Sequence, residues 1–198
     1  KEKYEHKYEY CDLLITGSGP SGLASAYAAA QNGAKVILAE DKSRFGGSLL
    51  TSEVTIGNQS GQEWAEKIIS ELKSMPNVVV KNRSQVFGYY DHNMLVMSER
   101  ISDHLPKTEK YSPKQRLWYI RAKEVVISSG SIERPLVFGN NDTPGVMLSS
   151  AAKEYLKIYG VLVGKKPLVF TNNDSGYETA IEFKKNGVDP IVLDTRKD

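Results

Sequence analysis

An α/β fold is predicted by three features of the 198-residue sequence. Three glycines, Gly17-x-Gly19-x-x-Gly22, sit between an apolar run and an alanine-rich helical stretch, the place where a Rossmann-type phosphate turn belongs. Apolar periods of 2 and 3.6 then alternate, as they do when strands of a parallel sheet are joined by crossover helices. Between residues 86 and 121 the pattern shifts to short strands separated by turns, which reads as antiparallel. The predicted architecture is therefore a Rossmann-type parallel sheet with an antiparallel β-meander insertion, followed by the start of a second Rossmann-like βαβ unit.

The elements follow in order. Residues 12–17 (DLLITG) form a short buried strand, and an Ala-rich helix runs from Gly19 to Asn32, stopping at Gly33, a normal helix-ending residue. Lys35–Glu40 is the next strand. Ser60 opens a second helix with Glu63 three residues on, the spacing of a capping box; Trp64, Ile68, Ile69 and Leu72 recur at helical spacing up to Pro76. Asn77–Lys81 is a third parallel strand. Val86–Tyr90, Met94–Glu99 and Arg116–Arg121 are the meander, joined by a turn at Asp91-His92-Asn93 and a polar loop through Pro106 and Pro113. Glu124–Ser129 returns to the parallel sheet and ends at Gly130. After a turn-rich stretch, Gly139–Gly145, come a helix over Ser150–Tyr159, a strand over Pro167–Thr171, a helix over Ser175–Asn186 and a strand over Pro190–Asp194. The expected domains are 1–145 and 146–198.

Composition narrows the function. The formal net charge is +2, and the basic residues are scattered, so no nucleic-acid surface is predicted. No apolar run approaches the roughly 20 residues of a membrane span. The opening KEKYEHKYEY is read as a charged leader without the apolar core of a signal peptide, and the absence of an initiator Met suggests a start inside a longer polypeptide. A cytoplasmic protein is expected. The lone Cys11 excludes an intrachain disulfide and reads as a small core residue.

The glycine fingerprint predicts where chemistry is held. Gly17 makes the tight turn, Gly19 admits a pyrophosphate against the backbone, and Gly22 lets the helix lie close to the strand. The whole turn, Gly17, Ser18, Gly19, Pro20, Ser21 and Gly22, is a candidate binding segment, with phosphates at the helix N-terminus. Glu40, 23 residues after Gly17, can accept the ribose hydroxyls of an adenosine. It disfavours a 2′-phosphate, although Lys42 and Arg44 stand close by. Asp41, Gly46, Gly47, Ser48, Val86, Ser129 and Gly130 complete the candidate set. For Gly46-Gly47 two readings stand, backbone approach to a ligand and an ordinary loop. Ser129-Gly130 ends a strand of the same sheet, facing the crevice where ligands of such sheets lie.

On the same template the second unit reads Thr171-x-Asn173-x-x-Gly176. The third glycine survives for packing, while Asn173 stands where a pyrophosphate needs space. One dinucleotide is expected. No nucleophilic triad and no metal-ligand spacing emerges, and His6, His92 and His104 read as solvated. Catalytic and metal-binding residues are expected to be none.

Two βαβ units around a meander resemble the two-dinucleotide-binding, glutathione-reductase-like flavoproteins. The segments YEYCDLLITGSGPSGLASA, FGGSLL, FGYYDHN, RAKEVVISSGSIERPLVFGNNDTPGVMLSSA and VFTNNDSGYETA resemble the α subunits of heterotetrameric sarcosine oxidases over essentially the whole chain. That resemblance implies NAD on this domain, with FAD as the alternative. It places FAD and a covalent FMN on the β subunit or at the α/β interface, with γ and δ subunits as further partners. It also implies tetrahydrofolate on a C-terminal part lying outside this sequence. Gly17, Gly19, Gly22 and Glu40 match the family's fingerprint. An N-terminal ferredoxin-like domain, the folate domain and a closing strand of the first fold are not in the sequence, so the isolated piece is expected to lack oxidase activity. The alternatives are an FAD-binding catalytic subunit of a related amino-acid or opine oxidoreductase, and a scaffold module that has lost its ligand; four intact binding residues argue against the scaffold.

Overall fold

A computed structural model describes residues 3–108 and 111–197. The chain divides into two compact units between Gly130 and Ser131. This is earlier than the expected domain limit, because the irregular stretch after Ser131 bonds within the second unit: the Glu133 carboxylate accepts the Ser150 N–H at 2.7 Å, and Phe138 meets Phe170 edge-on.

The first unit contains β1 (Tyr4–Thr16), α1 (Pro20–Gln31), β2 (Val36–Ala39), a small hairpin of β3 (Thr55–Ile56) and β4 (Gln59–Ser60), α2 (Gly61–Ser74), β5 (Val78–Lys81), β6 (Ser84–Tyr90), β7 (Met94–Arg100) and β8 (Gln115–Ile127). Six strands form one sheet in the order β5-β2-β1-β8-β7-β6. The first four are parallel, and β7 and β6 run antiparallel at one edge. The predicted fold class is the observed one.

Two details differ from the sequence reading. The supposed leader is the first half of β1, pairing in parallel with β8 from Tyr4↔Gln115 to Thr16↔Ile127. The expected strands Arg116–Arg121 and Glu124–Ser129 are one element, β8, whose first half belongs to the meander and whose second half belongs to the parallel sheet. The leader's tyrosines, Tyr4, Tyr8 and Tyr10, alternate at the period of a strand, a signal that its charge density masked.

Alternation along β1 and β2 sends side chains to opposite faces. Ile15, Val36 and Leu38 pack against Leu23 and Ala26 of α1 and Ile68 and Leu72 of α2. Leu14, Ile37 and Ala39 pack against Leu95, Met97 and Ile120 of the meander. Helices therefore cover one face of the parallel strands and the meander covers the other. The meander curls back to the mouth of the sheet, where the Ser84 N–H donates to the Glu40 carbonyl at 2.7 Å and the Arg83 N–H donates to the Lys42 carbonyl at 3.0 Å. Helix α2 starts with the expected capping box: the Glu63 N–H donates to Ser60 Oγ at 3.2 Å, and Glu63 Oε2 accepts the Ser60 N–H at 2.8 Å.

The second unit contains α3 (Ser149–Tyr159), β9 (Leu168–Thr171), α4 (Ser175–Lys185) and β10 (Ile191–Asp194). β9 and β10 pair in parallel, as a βαβ unit requires. A small core of Ala152, Leu156 and Phe183 joins α3 to α4.

Candidate functional site

The fingerprint turn lies where β1 meets α1. Gly17 adopts φ +97°, and a β-carbon on it would overlap the Ser128 carbonyl; one on Gly22 would overlap the Gly17 carbonyl. Gly19 differs: nothing lies within 4 Å of the place its β-carbon would take. Two glycines thus serve packing, and the third leaves open space in front of the helix. Gly19 is the helix N-cap and contributes no side-chain cap, with Pro20 at the first turn. The first helical bond runs from the Leu23 N–H to the Gly19 carbonyl at 2.9 Å. The Ser21 and Gly22 N–H groups therefore precede the ladder, and the positive end of the helix dipole adjoins the open space. These features fit the pyrophosphate of a dinucleotide.

Glu40 follows the end of β2 and is buried. Its Oε2 accepts the Ser18 N–H at 2.9 Å and the Ser18 hydroxyl at 2.5 Å, and its Oε1 accepts the Lys42 N–H at 3.0 Å. Burial opposes its ionisation, but hydrogen bonds from Asp41, Ser18 and Lys42 outweigh burial and hold the carboxyl below its ordinary value. Asp41, exposed and hydrogen-bonded to Glu40, shifts the other way. The acid predicted to meet a ribose is thus ionised and anchored beside the glycine turn.

Gly46 and Gly47 take φ +123° and +53°. The Gly46 N–H donates to the Ser18 carbonyl at 3.1 Å, and a β-carbon on Gly47 would lie 2.8 Å from Gly19 Cα. Their smallness lets this loop lie on the fingerprint turn itself. Ser48 is exposed one residue further on, its carbonyl accepting the Ser52 N–H at 3.0 Å. Ser129 and Gly130 follow β8 and are exposed, Gly130 at φ +72°. Val86 sits on β6, half-buried, in the wall of a cavity of about 250 Å³ shared with Thr16, Phe87, Gly88, Tyr89, Leu95, Ile127 and Ser129. The structure therefore gathers Gly17, Ser18, Gly19, Gly22, Glu40, Asp41, Gly46 and Gly47 at one mouth and places Val86 and Ser129 in the adjoining cavity. Pro20, Ser21 and Ser48 border the mouth from solvent. Sequence reasoning missed Phe87 and Tyr89 of the cavity wall; they sit in a strand whose facing could not be read before its partner was known.

In the second unit, Gly176 is required because a β-carbon there would lie 2.6 Å from the Thr171 side chain. The loop N–H groups are satisfied internally: the Asn173 N–H donates to Thr171 Oγ1 at 3.2 Å, and the Ser175 N–H donates to Asn173 Oδ1 at 2.9 Å. Cys11 lies fully buried in the core. His104 is only half-exposed, its Nδ1 buried 3.6 Å from Asp103, rather than solvated as its polar loop suggested. Among the described residues no three His, Cys, Asp or Glu side chains gather as metal ligands, and no helix is long and apolar enough to cross a membrane.

Fold and glycine turn together are those of the FAD/NAD-binding Rossmann type found in flavoprotein oxidoreductases. Residues 12–109 match the family model described as FAD dependent oxidoreductase. Over 98% of its length the chain is 44% identical to the sarcosine oxidase α subunit of Rhizobium meliloti and 38% identical to that of Corynebacterium sp. strain P-1. It is a homologue of these α subunits, and it spans 20% of the length of each. An opine oxidase subunit of Agrobacterium tumefaciens is 27% identical over 94% of the chain, which covers 37% of that protein. Among solved structures, the L-proline dehydrogenase from P. horikoshii superposes with a TM-score of 0.76 at 23% identity, over all of this chain and 38% of that one. The thioredoxin reductase of Lactococcus lactis gives 0.64 at 18% identity, over 95% of this chain and 57% of that one. At these identities the two structures show the fold.

Proposed function

We propose that this chain is the dinucleotide-holding region of a sarcosine oxidase α subunit, and that the dinucleotide is NAD. One observation carries the dinucleotide part of the reading: open space over Gly19, at the start of α1, lies next to an anchored carboxylate at Glu40. The glycine turn and helix N-terminus would take the pyrophosphate, and Glu40 would take the adenosine ribose. Gly46, Gly47 and Ser129 would border the ligand, with Val86 in the cavity wall beside it. Bound, the dinucleotide would supply hydride chemistry.

The α-subunit relatives support a place in a larger complex with β, γ and δ subunits. In that proposal the flavins FAD and FMN belong to the partner side, folate to another part of the α chain, and the complex demethylates sarcosine to glycine with hydrogen peroxide and methylenetetrahydrofolate. The chain then contributes binding rather than a catalytic side chain. The second unit keeps the fold without a ligand, since Thr171 and Asn173 occupy its loop N–H groups.

A second reading, FAD in this same site, is favoured by the family model's description. Both ligands present the same ADP half to the glycine turn. Absorbance from 300 to 550 nm, followed by mass spectrometry of whatever denaturation releases, separates the two. Colourless protein that binds or releases NAD supports the first reading. Yellow protein releasing FAD replaces it with the second, and protein that binds neither ligand overturns both.

A further inference from the structure

We propose that Ser18 is a positioning residue that fixes the Glu40 carboxylate for a ribose hydroxyl of a bound adenosine, and that Ser18 itself touches no ligand. The proposal rests on the dinucleotide reading above and assigns a role within that site. Ser18 is fully buried, so its hydroxyl faces protein and not the mouth. A serine hydroxyl has one proton to give, and here Glu40 Oε2 receives it at 2.5 Å. The same hydroxyl accepts the Gly46 N–H at 3.2 Å, so its acceptor side is engaged with the neighbouring loop.

The grip on Glu40 is two-pronged, because the Ser18 N–H also donates to Oε2 at 2.9 Å. Both acceptor positions of that oxygen are then filled from one residue. Oε1 takes the Lys42 N–H at 3.0 Å and holds the remaining capacity of the carboxylate. The other group facing the carboxylate is the Asp41 carboxyl, which is exposed and hydrogen-bonded to Glu40. Glutamate otherwise carries several rotatable bonds, and holding one in a single rotamer costs entropy. Ser18 meets that cost before the ligand binds, and it links the carboxylate to the Gly46 loop and the glycine turn as one rigid unit.

The test is calorimetric titration of the whole chain with ADP and with 2′,3′-dideoxy-ADP, which lacks both ribose hydroxyls and so the one Glu40 would accept. Four proteins are compared: the unaltered chain, Ser18→Ala, Glu40→Gln and the double variant. The unaltered chain should prefer ADP. Ser18→Ala should weaken ADP about tenfold, the scale of one hydrogen bond to a charged group, while dideoxy-ADP binding stays as it was. In the Glu40→Gln background, adding Ser18→Ala should change neither affinity. Equal weakening of both ligands by Ser18→Ala would mean a general structural role and overturn the proposal, as would no change in either. Should the unaltered chain bind both ligands alike, the nucleotide site stands and the Glu40–Ser18 assignment falls. Binding of neither ligand overturns this proposal together with the reading beneath it.

Discussion

Gly22 lies directly under Gly17: a β-carbon on Gly22 would overlap the Gly17 carbonyl oxygen and approach Ser128 Cβ to 3.3 Å. The contact sets how close α1 comes to β1, and hence where the helix N-terminus points. Gly22→Ala should destabilise the first unit by about 2–3 kcal/mol, the scale of overpacking against backbone that cannot move aside. Gly19→Ala should leave the melting temperature nearly unchanged, since its backbone, at φ −66° and ψ −177°, suits any residue and the space is open. The same substitution should weaken ADP binding more than tenfold by filling the place of the pyrophosphate. Thermal unfolding and titration on both variants check the contrast; equal stability losses would contradict the geometry.

Glu99 of β7 joins three layers of contact. Its Oε2 accepts the Trp118 indole N–H at 2.6 Å and lies 3.4 Å from Arg116, and its Oε1 pairs with Lys81 of β5 at 3.0 Å. Lys81 also stands 4.5 Å over the Trp118 ring. Removing one partner of a largely buried group leaves the others unsatisfied. Glu99→Ala should therefore cost about 2–3 kcal/mol in urea unfolding. Glu99→Gln, which can still accept from Trp118, should cost less.

Burial pushes the Cys11 thiol up to about 12, so almost no thiolate exists at pH 8. A thiol-specific disulfide reagent at pH 8 should leave the folded chain unmodified for hours and label one thiol per chain in denaturant. Rapid labelling of the folded chain would show that β1 does not hold Cys11 inside.

In the second unit, hydrogen bonds from Arg196 hold the Asp194 carboxyl at about 2. Because the folded value lies below the ordinary 3.8, this pair's stabilisation is complete above the unfolded value and is lost as pH falls through 3.8 toward 2. The protection of amides 168–194, their exchange rates taken relative to the intrinsic rate at each pH, should fall across that interval. In Asp194→Asn the loss of protection over the same interval should be smaller, with lower protection already present at pH 6.

Much of this architecture was legible beforehand because its signals are local. The glycine spacing, the capping box at Ser60 and Glu63, the alternation of helical and strand periods and the broken second fingerprint each lie within a few residues of one another, and each is found as expected. The sequence by itself therefore determined the fold class and the local turns on which the proposed site is built.

Only the tertiary structure decided which distant residues meet. The charged opening segment becomes a strand because β8 lies beside it from Gln115 onward, and no local propensity announces a partner 111 positions away. Gly47 must be glycine because Gly19 packs on it, and Ser18 is committed to Glu40 because the ends of β1 and β2 converge. Spacing along the chain specifies elements. Pairing register and close approach depend on how those elements pack, and here packing turned a residue of the glycine turn into the support of the carboxylate beside it.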